Sequence, residues 1–173
     1  MDVHKILVPI DFSSDAQRAL QWGASLAEKY GAKVVLLHVI PKAVEEMHRQ
    51  GEGFVSPTSS SYEGIYEGMV LRSQPFAKQP IIIDLEDQTR RELHDFASQQ
   101  IKEGVPLQVK VAVGRPAAEI LRVAGEETVE LIVMGTHGRT GLRHLLLGSV
   151  AEEVSRHAPC PVFTVRASAN VTP

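Results

Sequence analysis

Apolar residues along this chain fall into two kinds of pattern that alternate. His4 to Ile10 is a nearly unbroken apolar run, suited to a strand covered on both faces of a parallel sheet. After it, Ala16, Ala19, Leu20, Gly23, Ala27 and Tyr30 recur at helical spacing, and Ser14 with Gln17 reads as a capping box that opens this helix. Gly31 suits the left-handed position beyond its end. Lys33 to Ile40 predicts a second buried strand, stopped by Pro41. From Lys42 to about Ile83 the periods fail, broken by Gly51, Gly53, Pro57, Ser59, Ser60, Ser61, Gly64 and Gly68. That stretch is much longer than an ordinary connection in an αβ unit. It reads as an insertion at the surface, with a lid or partner-binding element as the sharper reading.

Regular structure resumes at Asp84. Leu85, Leu93, Phe96, Ala97 and Ile101 predict a helix stopped by Gly104, and Leu107 to Val113 a third strand. Gly114 turns the chain into a helix with Pro116 in its first turn and Ile120, Leu121 and Ala124 on its apolar face. Val129 to Met134 is a fourth strand, Val150 to His157 a last helix, and Pro161 to Arg166 a fifth strand, with a frayed tail over Ala167 to Pro173. This order of elements predicts an α/β fold, a doubly wound five-stranded parallel sheet with helices on both faces. The expected organisation is one domain over 1–173 carrying an irregular insertion at about 42–83. Ligands of such sheets sit beyond the carboxyl ends of the strands, where the strand order reverses.

The stretch with the densest chemistry follows the fourth strand. Gly135-Thr136-His137-Gly138-Arg139 leads through a basic loop with Arg143 and His144 to Gly148-Ser149-Val150-Ala151, where the last helix begins. The first main-chain N–H groups of a helix lack partners inside it and, with the helix dipole, attract anions. Glycine at 135, 138 and 148 would let a phosphate approach the main chain without meeting a Cβ. Ser149 with Glu152 also reads as a capping box, so its hydroxyl has two uses, on phosphate or on its own helix. Asp11, in Asp-Phe-Ser-Ser, is either a ligand group or an acid that shapes a helix entry.

Composition narrows the classes. The chain has 173 residues, 43% hydrophobic and 23% charged, as in an ordinary water-soluble globule. A net charge of −3 gives no reason to expect nucleic acid or an anionic membrane as partner. No apolar run approaches the roughly 18 residues of a membrane span, and the N-terminus enters a strand without the layout of a signal peptide. A cytoplasmic location is expected. The single cysteine, Cys160 between two prolines, rules out an internal disulfide and reads as a small buried side chain. No metal-ligand spacing is present. A P-loop with its lysine, a G-x-G-x-x-G turn after the first strand and a G-x-S-x-G elbow are all missing.

The pattern Gly135-x2-Gly138-x9-Gly148-Ser149 resembles the signature of the ATP-binding universal stress proteins. Ile6 to Ser13, Leu36 to Ile40 and Pro159 to Val165 agree with that family in the same order. The resemblance covers residues 1–40 and about 84–166. It implies a Rossmann-like strand order of 3-2-1-4-5, which sets Pro9, Ile10 and Asp11 beside Met134, Gly135 and Thr136. It further implies that the adenine meets main-chain groups at Val39 and Ile40, and that Asp11 lies near the nucleoside. ATP is the implied cofactor, with Mg2+ arriving on the nucleotide if it is present, and a homodimer would form through the last strand, 161–166. His137 and Arg139 would lend the phosphate region charge. The expected role is a nucleotide-dependent stress sensor or regulator, with hydrolysis slow or incidental and no residue assigned to catalysis. Two alternatives stand beside it: an adenine-nucleotide enzyme of the same architecture, as an ATPase or in adenylate transfer, or a structural dimer that has lost nucleotide binding. The downstream protein partner is left open.

Overall fold

The computed structural model describes residues 2–42, 45, 85–138 and 147–166. The elements in chain order are β1 (Lys5–Pro9), α1 (Ser14–Tyr30), β2 (Lys33–Ile40), α2 (Leu85–Gln100), β3 (Leu107–Val113), α3 (Pro116–Glu126), β4 (Leu131–Gly135), α4 (Ser149–His157) and β5 (Val162–Val165). The strands form one parallel sheet in the order β3-β2-β1-β4-β5. The expected architecture is therefore observed. Apart from Lys42 and Glu45, the expected insertion at 42–83 lies outside the described residues, as do Arg139, Arg143, His144 and the tail beyond Arg166. No helix among the described residues is long and apolar enough to cross a membrane.

The continuous apolar runs are explained by burial on both faces. Ile6, Val8, Val34, Leu36 and Val133 point to one side, where α1 and α2 cover them with Ala16, Ala19, Leu20, Ala27, Leu93 and Ala97. Leu7, Val35, Leu37, Ile132 and Met134 point to the other, under Ala117, Ile120, Val123 and Ala124 of α3 and Ala151 and Val154 of α4. The small residues of α1 let it lie close on the sheet. A Cβ at Gly23 would come within 2.6 Å of Val8 Cγ2. Cys160 packs half-buried against the second of these layers, and burial pushes its thiol pKa up.

Local details differ from the sequence pattern at both helices that open toward the site. The N-cap of α1 is Ser13, one residue before the expected Ser14, and its Oγ accepts from Ala16 N at 3.2 Å. The shift arises because Phe12 takes a left-handed φ of 66° and so turns the chain into the helix earlier. Gln17 still reaches back, its Nε2 donating to Phe12 O at 3.0 Å. Tyr30, expected on the buried face, is 51% exposed, because α1 ends there at Gly31, which takes φ 68° and donates its N–H to Ala27 O. The N-cap of α4 is Gly148, so Ser149 is the first helical residue and the expected Ser149–Glu152 capping box does not form. Glu152 pairs instead with Arg156 at 2.6 Å.

Candidate functional site

The strand order reverses between β1 and β4, which run side by side and parallel with Ile6 opposite Leu131 and Leu7 opposite Ile132. Beyond their carboxyl ends lies a cleft of about 260 Å³. It is lined by Pro9, Ile10 and Asp11 from the end of β1, Val39 from β2, Met134 to Gly138 from the end of β4, and Gly148 to Ala151 from the start of α4. The structure thus brings together all the described candidate residues save Ile40. The Ile40 side chain is buried against Leu85 in a separate cluster and its carbonyl accepts from Gly114 N at 2.9 Å, so it does not line the cleft.

Period-two alternation along β2 explains why Val39 and Ile40 differ. The Leu37 carbonyl accepts from Ile10 N at 2.8 Å, toward β1, whereas the Ile40 carbonyl serves β3. Val39, two residues after Leu37, turns its peptide groups to the β1 side just where β1 has ended at Pro9. Leu37, Ala16, Pro116 and Ile120 also line the cleft and escaped the sequence reading. Two of them were findable: Leu37 shares a face with Val39, and Ile120 stands one helical turn after Pro116.

The cleft is apolar at one end and polar at the other. Leu37, Val39, Pro116, Ile120 and Met134 give the cleft apolar walls. At the other end α4 opens with Gly148, which has no side chain to cap the N–H groups of the first turn. Ser149 is exposed there. This combination favours a ligand that is part ring system and part anion.

The glycines also allow the protein to pack closely on itself. A Cβ at Gly135 would lie 2.8 Å from Asp15 Cβ and 2.9 Å from Ala16 N, so this glycine lets the start of α1 abut the end of β4. A Cβ at Gly138 would lie 2.7 Å from Asp11 Oδ2, and one at Gly148 3.2 Å from Thr136 O. At all three the space is taken by the protein itself, and none of them has a left-handed φ. The bare main chain closes the loop tightly: Gly148 N donates to Thr136 O at 2.8 Å, and Thr136 N to Val165 O at 2.9 Å.

Two carboxylates hold the loop from below. Asp11 Oδ1 accepts from Ser13 N at 3.0 Å and Ser13 Oγ at 2.6 Å, the Asx-type helix entry, while its Oδ2 faces Gly138. Asp15 is buried and its Oδ2 accepts from Thr136 Oγ1 at 2.8 Å and His137 N at 3.1 Å. Asp15 was missed in the sequence because an acid in a first helical turn is ordinary. Behind Asp11, Phe12 packs against His38 and edge-on to Phe96 of α2, with ring centroids 5.3 and 5.2 Å apart. His38 is buried and its Nδ1 contacts Ile10 O at 2.7 Å, which bolts the end of β1 to β2.

Comparison with known proteins agrees with this geometry. The universal stress protein YxiE of Bacillus subtilis (strain 168) is 32% identical over 167 residues, covering 94% of this chain and 99% of its own length. The universal stress protein MJ0577 of Methanocaldococcus jannaschii is 31% identical over 167 residues, 94% of each chain. The solved structure of MJ0577 superposes with a TM-score of 0.63 at 28% identity, covering 98% of this chain and 100% of that one. A universal stress protein from Archaeoglobus fulgidus, solved in complex with dAMP, shares the fold at a TM-score of 0.54 and 21% identity, covering 95% of this chain and 99% of its own. The sequence model of the universal stress protein family matches residues 2–166, and this chain belongs to that family.

Proposed function

We propose that this chain binds ATP in the cleft between β1 and β4 and acts as a nucleotide-dependent sensor or regulator, with hydrolysis slow or incidental. The observation that carries the reading is the two-ended cleft: apolar walls joined to a helix start whose N-cap is a glycine. The adenine takes the apolar end beside Val39, whose peptide groups face it past the end of β1. The phosphates take the end formed by Gly138, Gly148, Ser149 and the N–H groups of Val150 and Ala151, with Asp11 near the ribose. The dAMP bound by the Archaeoglobus fulgidus protein is a ligand of the same chemistry on the same fold. Mg2+, where it is present, would come with the nucleotide's phosphates. The regulator would be a homodimer through β5, the edge strand on which Phe163 is 42% exposed.

Mass spectrometry of gently purified protein tests the reading. A co-purified adenine nucleotide, with turnover far below the roughly 10 per second typical of enzymes, is the expected result. No nucleotide after purification and none bound on titration would leave a structural dimer as the better account. Rapid turnover that depends on the loop would favour the enzyme.

A further inference from the structure

The two arms of the loop after β4 meet at Thr136, and every polar atom of that residue is engaged. Its N–H donates to Val165 O at 2.9 Å, its carbonyl accepts from Gly148 N at 2.8 Å, and its Oγ1 donates to Asp15 Oδ2 at 2.8 Å. The same carboxylate oxygen accepts from His137 N at 3.1 Å. The main-chain N–H groups of Thr136, His137 and Gly148 are thus all given to the protein itself. The start of α4 differs. Gly148 makes no side-chain cap bond to the first turn, and Ser149, Val150 and Ala151 line the cleft. Asp15 also departs from the ordinary acid of a first helical turn, which complements the helix dipole from the surface. It is only 8% exposed. Burying a carboxylate is costly unless donors satisfy it, and both donors to its Oδ2 come from the loop. His137 Nδ1 stands 3.5 Å from that oxygen, farther than either donor. Gly135 makes the approach possible, since a Cβ there would lie 2.8 Å from Asp15 Cβ.

Resting on the ATP reading, we propose that Asp15 is a positioning residue for the nucleotide's phosphates, acting through Thr136 and the His137 N–H on the place where α4 begins. Asp15 fixes the arm of the loop that leaves β4, and the Thr136 carbonyl fixes Gly148, the N-cap of α4, against that arm. The phosphates are then seated by the first turn of α4, and the 136–137 arm braces that turn instead of supplying a second set of main-chain donors. An N–H already given to a carboxylate is not offered to a second anion. Without Asp15, the Thr136 hydroxyl and the His137 N–H lose their acceptor, Thr136 in a nearly buried place, and the arm rearranges. The start of α4 then loses its set distance from Asp11 and the end of β1. A ligand that spans the cleft loses its hold at the phosphate end. Its base end, walled by Leu37 and Val39 of β2 and Pro116 and Ile120 of α3, stays as it was.

The experiment titrates ATP by calorimetry, and adenosine by NMR up to millimolar concentration. The proteins are the wild type, Asp15→Ala, Asp15→Asn, Thr136→Val and the Asp15→Ala/Thr136→Val pair, with circular dichroism to verify folding. Asp15→Ala should bind ATP about tenfold more weakly, the scale of a lost hydrogen bond to a charged group, and adenosine as the wild type does. Asp15→Asn keeps an acceptor oxygen and should recover most of the loss. Thr136→Val should weaken ATP binding in the wild-type background and add nothing once Asp15 is gone, because both changes remove the same hydrogen bond. Where Asp15→Ala does not fold, Thr136→Val carries the comparison of ATP with adenosine. Equal losses for the two ligands would mean general loosening and would overturn the positioning role. So would ATP binding of wild-type strength in folded Asp15→Ala, or Asp15→Asn as weak as Asp15→Ala. Additive losses in the pair would overturn the route through Thr136. Failure of the wild type to bind either ligand would instead refute the nucleotide reading on which the proposal stands.

Discussion

Gly135→Ala adds one methyl group where the end of β4 meets the start of α1. The new Cβ would lie 2.8 Å from Asp15 Cβ, 2.9 Å from Ala16 N and 2.9 Å from the Asp15 carbonyl carbon. Ordinary carbon contacts are about 3.5–4.0 Å, so the first turn of α1 must retreat by roughly 1 Å. Two of those three atoms are backbone, and no rotamer change relieves them. Overpacking of this kind costs about 1–3 kcal/mol, which in a chain of this size lowers Tm by about 3–10 °C. The retreat also stretches the Asp15 hydrogen bonds to Thr136 and His137, so ATP affinity should fall with stability. Thermal unfolding followed by circular dichroism reads the first effect, and calorimetric titration of the folded variant the second. Gly138→Ala is the contrast: its Cβ meets only the side-chain carboxylate of Asp11 and no backbone atom, so it should cost less stability. A Gly135→Ala protein with wild-type Tm would refute the claim that this glycine exists for close approach of α1.

Glu127 gives a pH-dependent test away from the cleft. Its carboxyl is held below the ordinary 4.5, first by the hydrogen bond from Lys110 and then by Lys5. A depressed carboxylate stabilises the fold above its unfolded value, and that contribution is lost as pH falls through the folded one. Glu127→Gln should therefore cost up to about 1 kcal/mol near neutral pH, and urea unfolding should show the difference closing below pH 4.5. For the proposed dimer, Phe163→Glu places a charge on the exposed edge of β5, where Phe163 meets Trp22 edge-on at 5.9 Å, and light scattering should report a monomer. Replacing 42–83 by a Gly/Ser linker long enough to span the gap should leave cooperative thermal unfolding. Its loss would make that segment part of the core.

The inner strands β1, β2 and β4 were legible because burial on both faces writes a continuous apolar run, as in Val34 to Leu37. Strand order was not written in the periods and came only from the family resemblance. Cap positions slipped where one signal fitted two registers: Ser13 and Ser14 are both good caps, and the left-handed Phe12 that decides between them carries no signal of its own. The cleft was located by its glycines, and the close approach of Asp15, Asp11 and Thr136 to their missing Cβ positions was not legible in their spacing. Asp15 was illegible because its partners, Thr136 and His137, lie more than 120 residues away in sequence. Ile40 was included by nearness to Val39, whereas alternation along the strand separates them.

The central claim is that phosphate is held where α4 begins, and one titration tests it most directly. Gly148 has φ −71° and ψ 159°, which any residue can adopt, so a substitution there acts through space and not through backbone strain. A Cβ would stand 3.2 Å from Thr136 O and 3.7 Å from His137 Cα, and the branches of a valine would press the loop open at the proposed phosphate end. Calorimetric titration with ATP should show Gly148→Val binding at least about tenfold more weakly than the wild type, a loss of about 1.4 kcal/mol. Ser149→Ala should lose less, since the N–H groups of Val150 and Ala151 remain. A folded Gly148→Val protein that binds ATP as tightly as the wild type would contradict the account and put the phosphates elsewhere.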